Sequence, residues 1–318
     1  MNDIDIHPAD RVASVREYYL QRKMREVAQL NAAGADIISL GIGGPDMPPP
    51  QAAIDTLCSQ ARRPDTHGYQ LASGLPEMRR AFARWYGQRF GVTLDADSEI
   101  MPLIGSKEGI MHISLTFLNP GDGVLLPNPG YPTYTSVSRL VGADIRYYDL
   151  LEDRGWTPDF DALEHADLSG VKIMWTNYPN MPTGAPASRE LFERLVDFGR
   201  RHNILIINDN PYSFILNDNP LSILSVPDAK DIAIEMNSLS KSHNMAGWRM
   251  GMLAAKAEYV AWIRRVKSNV DSGQFAPMMS AVTDALAVGD EWYAQLNATY
   301  AERRAIVDRI ATALGCTF

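Results

Sequence analysis

Ile204-Leu-Ile-Ile-Asn-Asp209 is a short apolar run that ends on a carboxylate, and it follows a helical pattern over residues 189–203. A strand so uniformly apolar has both faces covered. The same alternation extends outward on both sides. Strand patterns occur at 100–104, 124–127, 144–150, 171–177 and 232–237, with helical patterns at 107–118, 133–141 and 159–166. Residues 250–255 read as one more strand. This order predicts an α/β fold, a largely parallel sheet with helices on both faces in three αβα layers. Ligands of such sheets sit at the carboxyl ends of the strands. Ser106 and Lys107, Asn177, Asp209 and Tyr212, and Lys241 all fall at such ends.

Toward the N-terminus, Val12, Val15, Tyr18, Tyr19, Met24, Val27 and Leu30 recur near helical spacing and predict one amphipathic helix over 9–31. Residues 37–42 read as a short strand entering the loop Gly43-Gly-Pro-Asp-Met-Pro-Pro-Pro50, and 51–62 and 75–90 read as helices. Further helices are expected over 257–270, 276–288 and 291–314. The expected division is 1–50 as an N-terminal helix and joining segment and 51–288 as a large domain. Residues 289–318 are expected to begin a smaller α+β domain, truncated at its C-terminal end.

At 318 residues and 46% hydrophobic, the chain can bury a large core. Its net charge of −8 argues against nucleic acid or an anionic membrane as the main partner. Cys58 and Cys316 form no disulfide framework, so a reducing compartment, the cytoplasm, is expected. No apolar run reaches the length of a membrane span. The six histidines show no ligand spacing and there is no C-x-x-C, so no metal site is expected.

The polar chemistry concentrates in Glu235-Met-Asn-Ser-Leu-Ser-Lys241-Ser-His-Asn-Met-Ala-Gly-Trp-Arg249-Met-Gly251. Ser238 and Ser240 offer hydroxyls, the glycines allow close backbone approach, and Arg249 offers a planar fork of donors suited to phosphate. A lysine at a strand end beside phosphate ligands points to an amine nucleophile on a phosphorylated carbonyl cofactor. Taken alone, a solvated Lys/Arg turn is an equal reading. Gly105-Ser106-Lys107-Glu108-Gly109 opens a helix and reads as an anion site or as an ordinary serine cap. Asp209 reads as a desolvated carboxylate awaiting a cation such as a pyridinium nitrogen, or as a capping aspartate. Tyr131 can stack on a ring or fill the core. Singly these signals are weak; jointly they point one way.

Together the residues resemble the class I/II aminotransferases, fold-type I enzymes dependent on pyridoxal 5′-phosphate. The resemblance runs from about residue 37 onward. It rests on Ser238-x-Ser-Lys241, Gly247-x-Arg249-x-Gly251, Asp209-x-x-Tyr212 and Pro182-Thr-Gly184. Gly105-Ser-Lys-Glu-Gly109, Phe117-Leu-Asn-Pro-Gly-Asp122, Pro129-Gly-Tyr131-Pro and Lys267-Ser-Asn-Val-Asp-Ser-Gly273 are similar to the branch that contains LL-diaminopimelate aminotransferases.

The resemblance implies that the large domain binds the cofactor and that Lys241 holds it as an internal aldimine. Asp209 pairs with the pyridinium nitrogen, Tyr212 donates to the phenolic oxygen, and Tyr131 stacks on the ring. Ser106, Lys107, Ser238 and Arg249 hold the phosphate, Tyr69 reaches the phosphate of a partner subunit in a homodimer, and Gly43 and Gly44 lie near the substrate. The implied reaction moves an amino group from an L-amino acid to a 2-oxo acid. A β-lyase on the same scaffold and a catalytically silent cofactor-binding protein are the alternatives. In two respects the chain departs from the family. Met181 stands where the family has an asparagine before Pro-Thr-Gly, with Asn177 or Asn180 as the expected substitute. The region carrying the family's arginine for the substrate carboxylate is absent, which is read as truncation.

Overall fold

The computed structural model describes residues 5–41 and 43–316. Its sheet contains β1 (Ile100–Ile104), β2 (Gly123–Asn128), β3 (Asp144–Asp149), β4 (Val171–Thr176), β5 (Leu205–Asp209), β6 (Ala233–Ser238) and β7 (Met250–Ala254). The helices are α1 (Asp10–Ala13), α2 (Tyr19–Ala32), α3 (Gln51–Ala61), α4 (Pro76–Phe90), α5 (Ser106–Phe117), α6 (Pro132–Leu140) and α7 (Phe160–Glu164). They continue with α8 (Arg189–His202), α9 (Leu239–Ser242), α10 (Ala257–Lys267), α11 (Ala276–Ala285) and α12 (Asp290–Ala313).

The strands lie in the order β1-β7-β6-β5-β4-β2-β3. From β6 to β3 every pairing is parallel, and only β7 runs against its neighbours. The expected largely parallel sheet is therefore present. Side chains alternate along each strand, so each strand serves two cores. In β5, Ile206 enters a core shared with α4, α8 and α11. Leu205 and Ile207 face the opposite core, shared with α5, α6 and α10. Covering both faces explains why β5 is buried along its whole length. Helix boundaries follow local chemistry. The Ser188 hydroxyl accepts from Leu191 N at 3.1 Å to start α8, and Asn203 in the left-handed region ends it.

Two expectations fail at the N-terminus. The helix expected over 9–31 breaks into α1 and α2, and Tyr18, with φ −55° and ψ 122°, leaves helical geometry between them. Neither piece buries a residue. Residues 37–41 form no strand, and Ile38 and Leu40 are exposed. The Asn31 side chain occupies both backbone groups of Ile37, at 2.5 Å to its N–H and 3.0 Å to its carbonyl. A ladder would need those groups free. The last residue of that expected strand, Ile42, lies outside the described residues.

Candidate active site

The carboxyl ends of β4, β5 and β6 open into a cavity of about 650 Å³, a size typical of ligand pockets. Lys241 enters it from α9, the single turn that follows β6. Ser238 caps this turn, its hydroxyl accepting from Ser240 N at 3.2 Å. The Lys241 ammonium donates to the Gly43 carbonyl at 3.2 Å. Burial, and then the neighbouring Arg249 charge, lower its pKa from the ordinary lysine value.

Asp209 ends β5 on the same cavity and is buried. One oxygen accepts from the Tyr134 hydroxyl at 3.1 Å; the other, Oδ1, has no partner among the described residues. Burial raises this carboxyl to about 7, against the Tyr134 hydrogen bond and the nearby Ser106 hydroxyl, which lower it. Tyr212 stands beside it, its phenol pushed up to about 12 by burial and then by Asp209. Tyr131 packs edge-on against Tyr134, with ring centroids 5.6 Å apart.

Ser106, Lys107, Ser238 and Arg249 gather at the N-terminus of α5. Arg249 has φ +57° and donates from Nη1 to the Ala246 carbonyl at 2.8 Å. Its guanidinium lies against Gly105, where a Cβ would overlap Nη2. Gly105 itself has φ 72° and ψ 160°, a conformation open to glycine alone. Lys107 Nζ sits 4.2 Å from the Tyr18 ring centroid. Lys107, Lys241 and Arg249 thus share one cavity, and among the described residues none of them forms an ion pair. Three cations in one cavity, two of them at the N-terminus of α5, and a buried carboxylate with a free oxygen fit an anionic ligand that carries a basic ring nitrogen. Pyridoxal 5′-phosphate has both.

Not every expected residue is here. Asn177 lines the cavity, giving its amide to the Asp209 carbonyl at 2.5 Å and accepting from Met181 N at 2.8 Å. Asn180 does not line it; its side chain is spent inside the turn, on the Asn177 carbonyl and the Thr183 hydroxyl. Gly43 lines the cavity and Gly44 does not. Tyr69 is 95% exposed, outside the cavity. The structure adds Tyr18, Tyr19 and Leu20 as walls, and Tyr134 beneath Asp209. Tyr134 stands three residues beyond Tyr131 in the same helical opening, a signal that could have found it. No comparable signal marks Tyr18.

Residues 35–316 match the family model described as aminotransferase class I and II. An LL-diaminopimelate aminotransferase of Nitratidesulfovibrio vulgaris is 44% identical over 95% of this chain and 79% of its own length. One from Aquifex aeolicus is 40% identical over 96% and 80%. Among solved structures, the apo form of BacF from Bacillus subtilis superposes with a TM-score of 0.92 at 33% identity, covering 97% of this chain and 79% of that one. An aspartate aminotransferase of Thermus thermophilus, 22% identical over 98% of this chain and 81% of its own, shares the fold at a TM-score of 0.90. With the motif residues around one cavity and the family model covering most of the sequence, the chain belongs to the class I and II aminotransferases, which depend on pyridoxal 5′-phosphate.

Proposed function

We propose that this aminotransferase uses Lys241 both to hold the cofactor and to move the substrate's α-proton, with Asp209 and Tyr212 tuning the ring. One observation carries the reading: an amine and a buried carboxylate with an unpartnered oxygen face the same cavity. When bound, pyridoxal phosphate supplies an aldehyde carbon for the amino group and a ring that draws electrons from the α-carbon. Asp209 would hold a protonated ring nitrogen, a partner that would offset the cost of burying its charge. Tyr212 would donate to the phenolic oxygen and Tyr131 would stack on the ring. Asn177 lines the cavity and Asn180 does not, so Asn177 is the better substitute for the family asparagine. Ser106, Lys107, Ser238 and Arg249 take the phosphate. Lys241, an amine whose pKa burial and Arg249 lower, would hold the cofactor and would accept and return the α-proton.

The substrates are an L-amino acid and a 2-oxo acid, bound beside Gly43. Relatives named for LL-diaminopimelate support that compound as donor. Residues 51–288 form the cofactor domain. Tyr69, exposed on its own chain, reaches the cofactor phosphate of a second copy in a homodimer. We assign the enzyme to the cytoplasm; Cys58 and Cys316 are free and exposed, and among the described residues no helix is long and apolar enough to cross a membrane.

The test is Lys241→Ala. It retains phosphate contacts and loses turnover by roughly 10²- to 10⁴-fold or more. Near-normal turnover by this variant refutes the assignment.

A further inference from the structure

The turn that carries Lys241 is gripped from behind by α12. The Trp292 indole N–H donates to the Ser242 carbonyl at 2.9 Å. The next residue, Tyr293, has its hydroxyl 3.2 Å from His243 Nε2 and 3.2 Å from the Trp85 indole nitrogen. An indole nitrogen can only donate. Tyr293 therefore accepts from Trp85 and has its own proton free for His243 Nε2. That makes Nε2 an acceptor and puts the imidazole proton on Nδ1, which donates to the Ser242 hydroxyl at 2.8 Å. The relay Trp85→Tyr293→His243→Ser242 runs one way and ends one residue from Lys241.

None of Trp85, Tyr293 or His243 lines the cavity. His243 is fully buried in an aromatic cluster, 6.2 Å from the Trp85 ring and 5.7 Å from the Tyr293 ring. An apolar ring would fill that space without the cost of desolvating two nitrogens. Burial, and then the nearby Arg89 charge, hold the imidazole pKa down at about 3, so the ring is neutral at working pH and the relay keeps its direction.

We propose that His243 is a positioning residue for Lys241, its tautomer fixed by Trp85 and Tyr293 and its Nδ1–H fixing the peptide that carries the lysine. Two hydrogen bonds meet on Ser242, one at the hydroxyl from His243 and one at the carbonyl from Trp292. The inference rests on Lys241 being the cofactor lysine.

Tyr293→Phe removes one oxygen and keeps the ring packing; His243→Phe removes both nitrogens. In the holoenzyme each is expected to lower kcat roughly tenfold to hundredfold, the cost of a misplaced reacting group, with KM for the amino donor unchanged. The double variant is expected to lose no more than His243→Phe alone, because both act through one bond. The pH midpoint of the bound cofactor's visible absorption is expected to rise in each. A looser turn lets the lysine nitrogen drift from the burial and the Arg249 charge that depress its basicity. The other ionisable groups of the cavity, Lys107, Asp209, Tyr18, Tyr19, Tyr131, Tyr134 and Tyr212, are untouched by these changes. A lowered Tm with wild-type midpoint and kcat overturns the proposal, and so does an additive loss in the double variant. If His243→Phe fails to fold, Tyr293→Phe paired with Trp85→Phe, the donor to the same hydroxyl, carries the same test. Borohydride reduction and peptide mapping of the wild type locate the cofactor lysine separately, so a different labelled lysine refutes the Lys241 assignment before the relay is tested.

Discussion

Asp209→Asn should act with opposite sign on the cofactor-free and cofactor-loaded protein. In the cofactor-free protein the carboxyl is raised from 3.8 to about 7 by burial. At about 1.4 kcal/mol per pH unit, that difference carries roughly 4 kcal/mol against folding once the group is ionised. The folded state binds the proton more tightly than the unfolded chain. The penalty is therefore full above pH 7, shrinks as pH falls, and is gone below about 4. Between pH 8 and pH 5 the wild type regains roughly 3 kcal/mol from this group, and the asparagine variant regains nothing. The variant keeps the Tyr134 bond through its amide oxygen but buries an unmatched N–H, at about 1–3 kcal/mol. A net gain of roughly 1–3 kcal/mol at pH 8 remains, and it fades by pH 5. Urea unfolding of cofactor-free protein at both pH values measures it. With pyridoxal phosphate bound the ordering reverses, because the ring nitrogen supplies the missing charge and the variant loses it. Glu235 is also buried with its pKa raised, so Glu235→Gln is the control for a pH effect that ignores the cofactor. An Asp209→Asn protein destabilised equally at pH 8 and pH 5, with or without cofactor, refutes the reasoning.

Three further outcomes are expected. Gly105→Ala forces a side chain into a glycine-only conformation, at about 1–3 kcal/mol, and pushes Arg249 aside; cofactor affinity measured by titration of the apoprotein should fall while Lys241 still reacts with borohydride. Lys267→Met empties the centre of a buried ion cluster, where Nζ lies 2.9 Å from Glu108 and 2.5 Å from Asp271. Leaving two carboxylates without their cation should cost about 3–5 kcal/mol in a denaturant midpoint, and the Glu108 bond that fixes Ile104 N beside the phosphate turn should loosen. Met181→Asn adds an amide on the cavity wall; a donor to the anionic phenolic oxygen should lower the pH midpoint of cofactor absorption by about one unit, and an unchanged midpoint would place that oxygen elsewhere.

The sheet was legible because its central strands are apolar on both faces and the intervening helices on one; only the edge strand β3 is largely exposed. Expected and observed strands agree to within one or two residues from β1 to β7. The N-terminal segment was not, and the reason is physical. Val12, Tyr19, Met24 and Leu30 repeat like a core-facing helix but are exposed, and the chain breaks where Tyr18 turns toward Lys107. Apolarity near Ile37 suggested a strand, but a strand exists only where another lends hydrogen-bonding partners, and Asn31 had taken those of Ile37. Periodicity reports what a segment could bury, not whether anything arrives to cover it.

At the site, the legible residues were those that sit in short motifs at strand ends. Their supports were not, because the topology brings them from far along the chain: Tyr134 lies 75 residues from Asp209, and Trp292 lies 50 from Ser242. Asp209 and Glu235 show what this hides. Both are acids in central apolar strands, and in the β5–β6 register Glu235 pairs with Asn208 while Asp209 pairs with Met236. One residue of offset turns the two carboxylates to opposite faces of the sheet. On its face Glu235 receives Tyr86 and Ser222 on one oxygen and Ile223 N and Asn208 on the other. Asp209 receives Tyr134 alone. A buried carboxylate whose lone pairs are all met by protein is finished structure; one with an oxygen left over is stable only when something outside the chain completes it. The sequence writes both as an acid at the end of an apolar run, and only the count of donors around each distinguishes the fold's carboxylate from the ligand's.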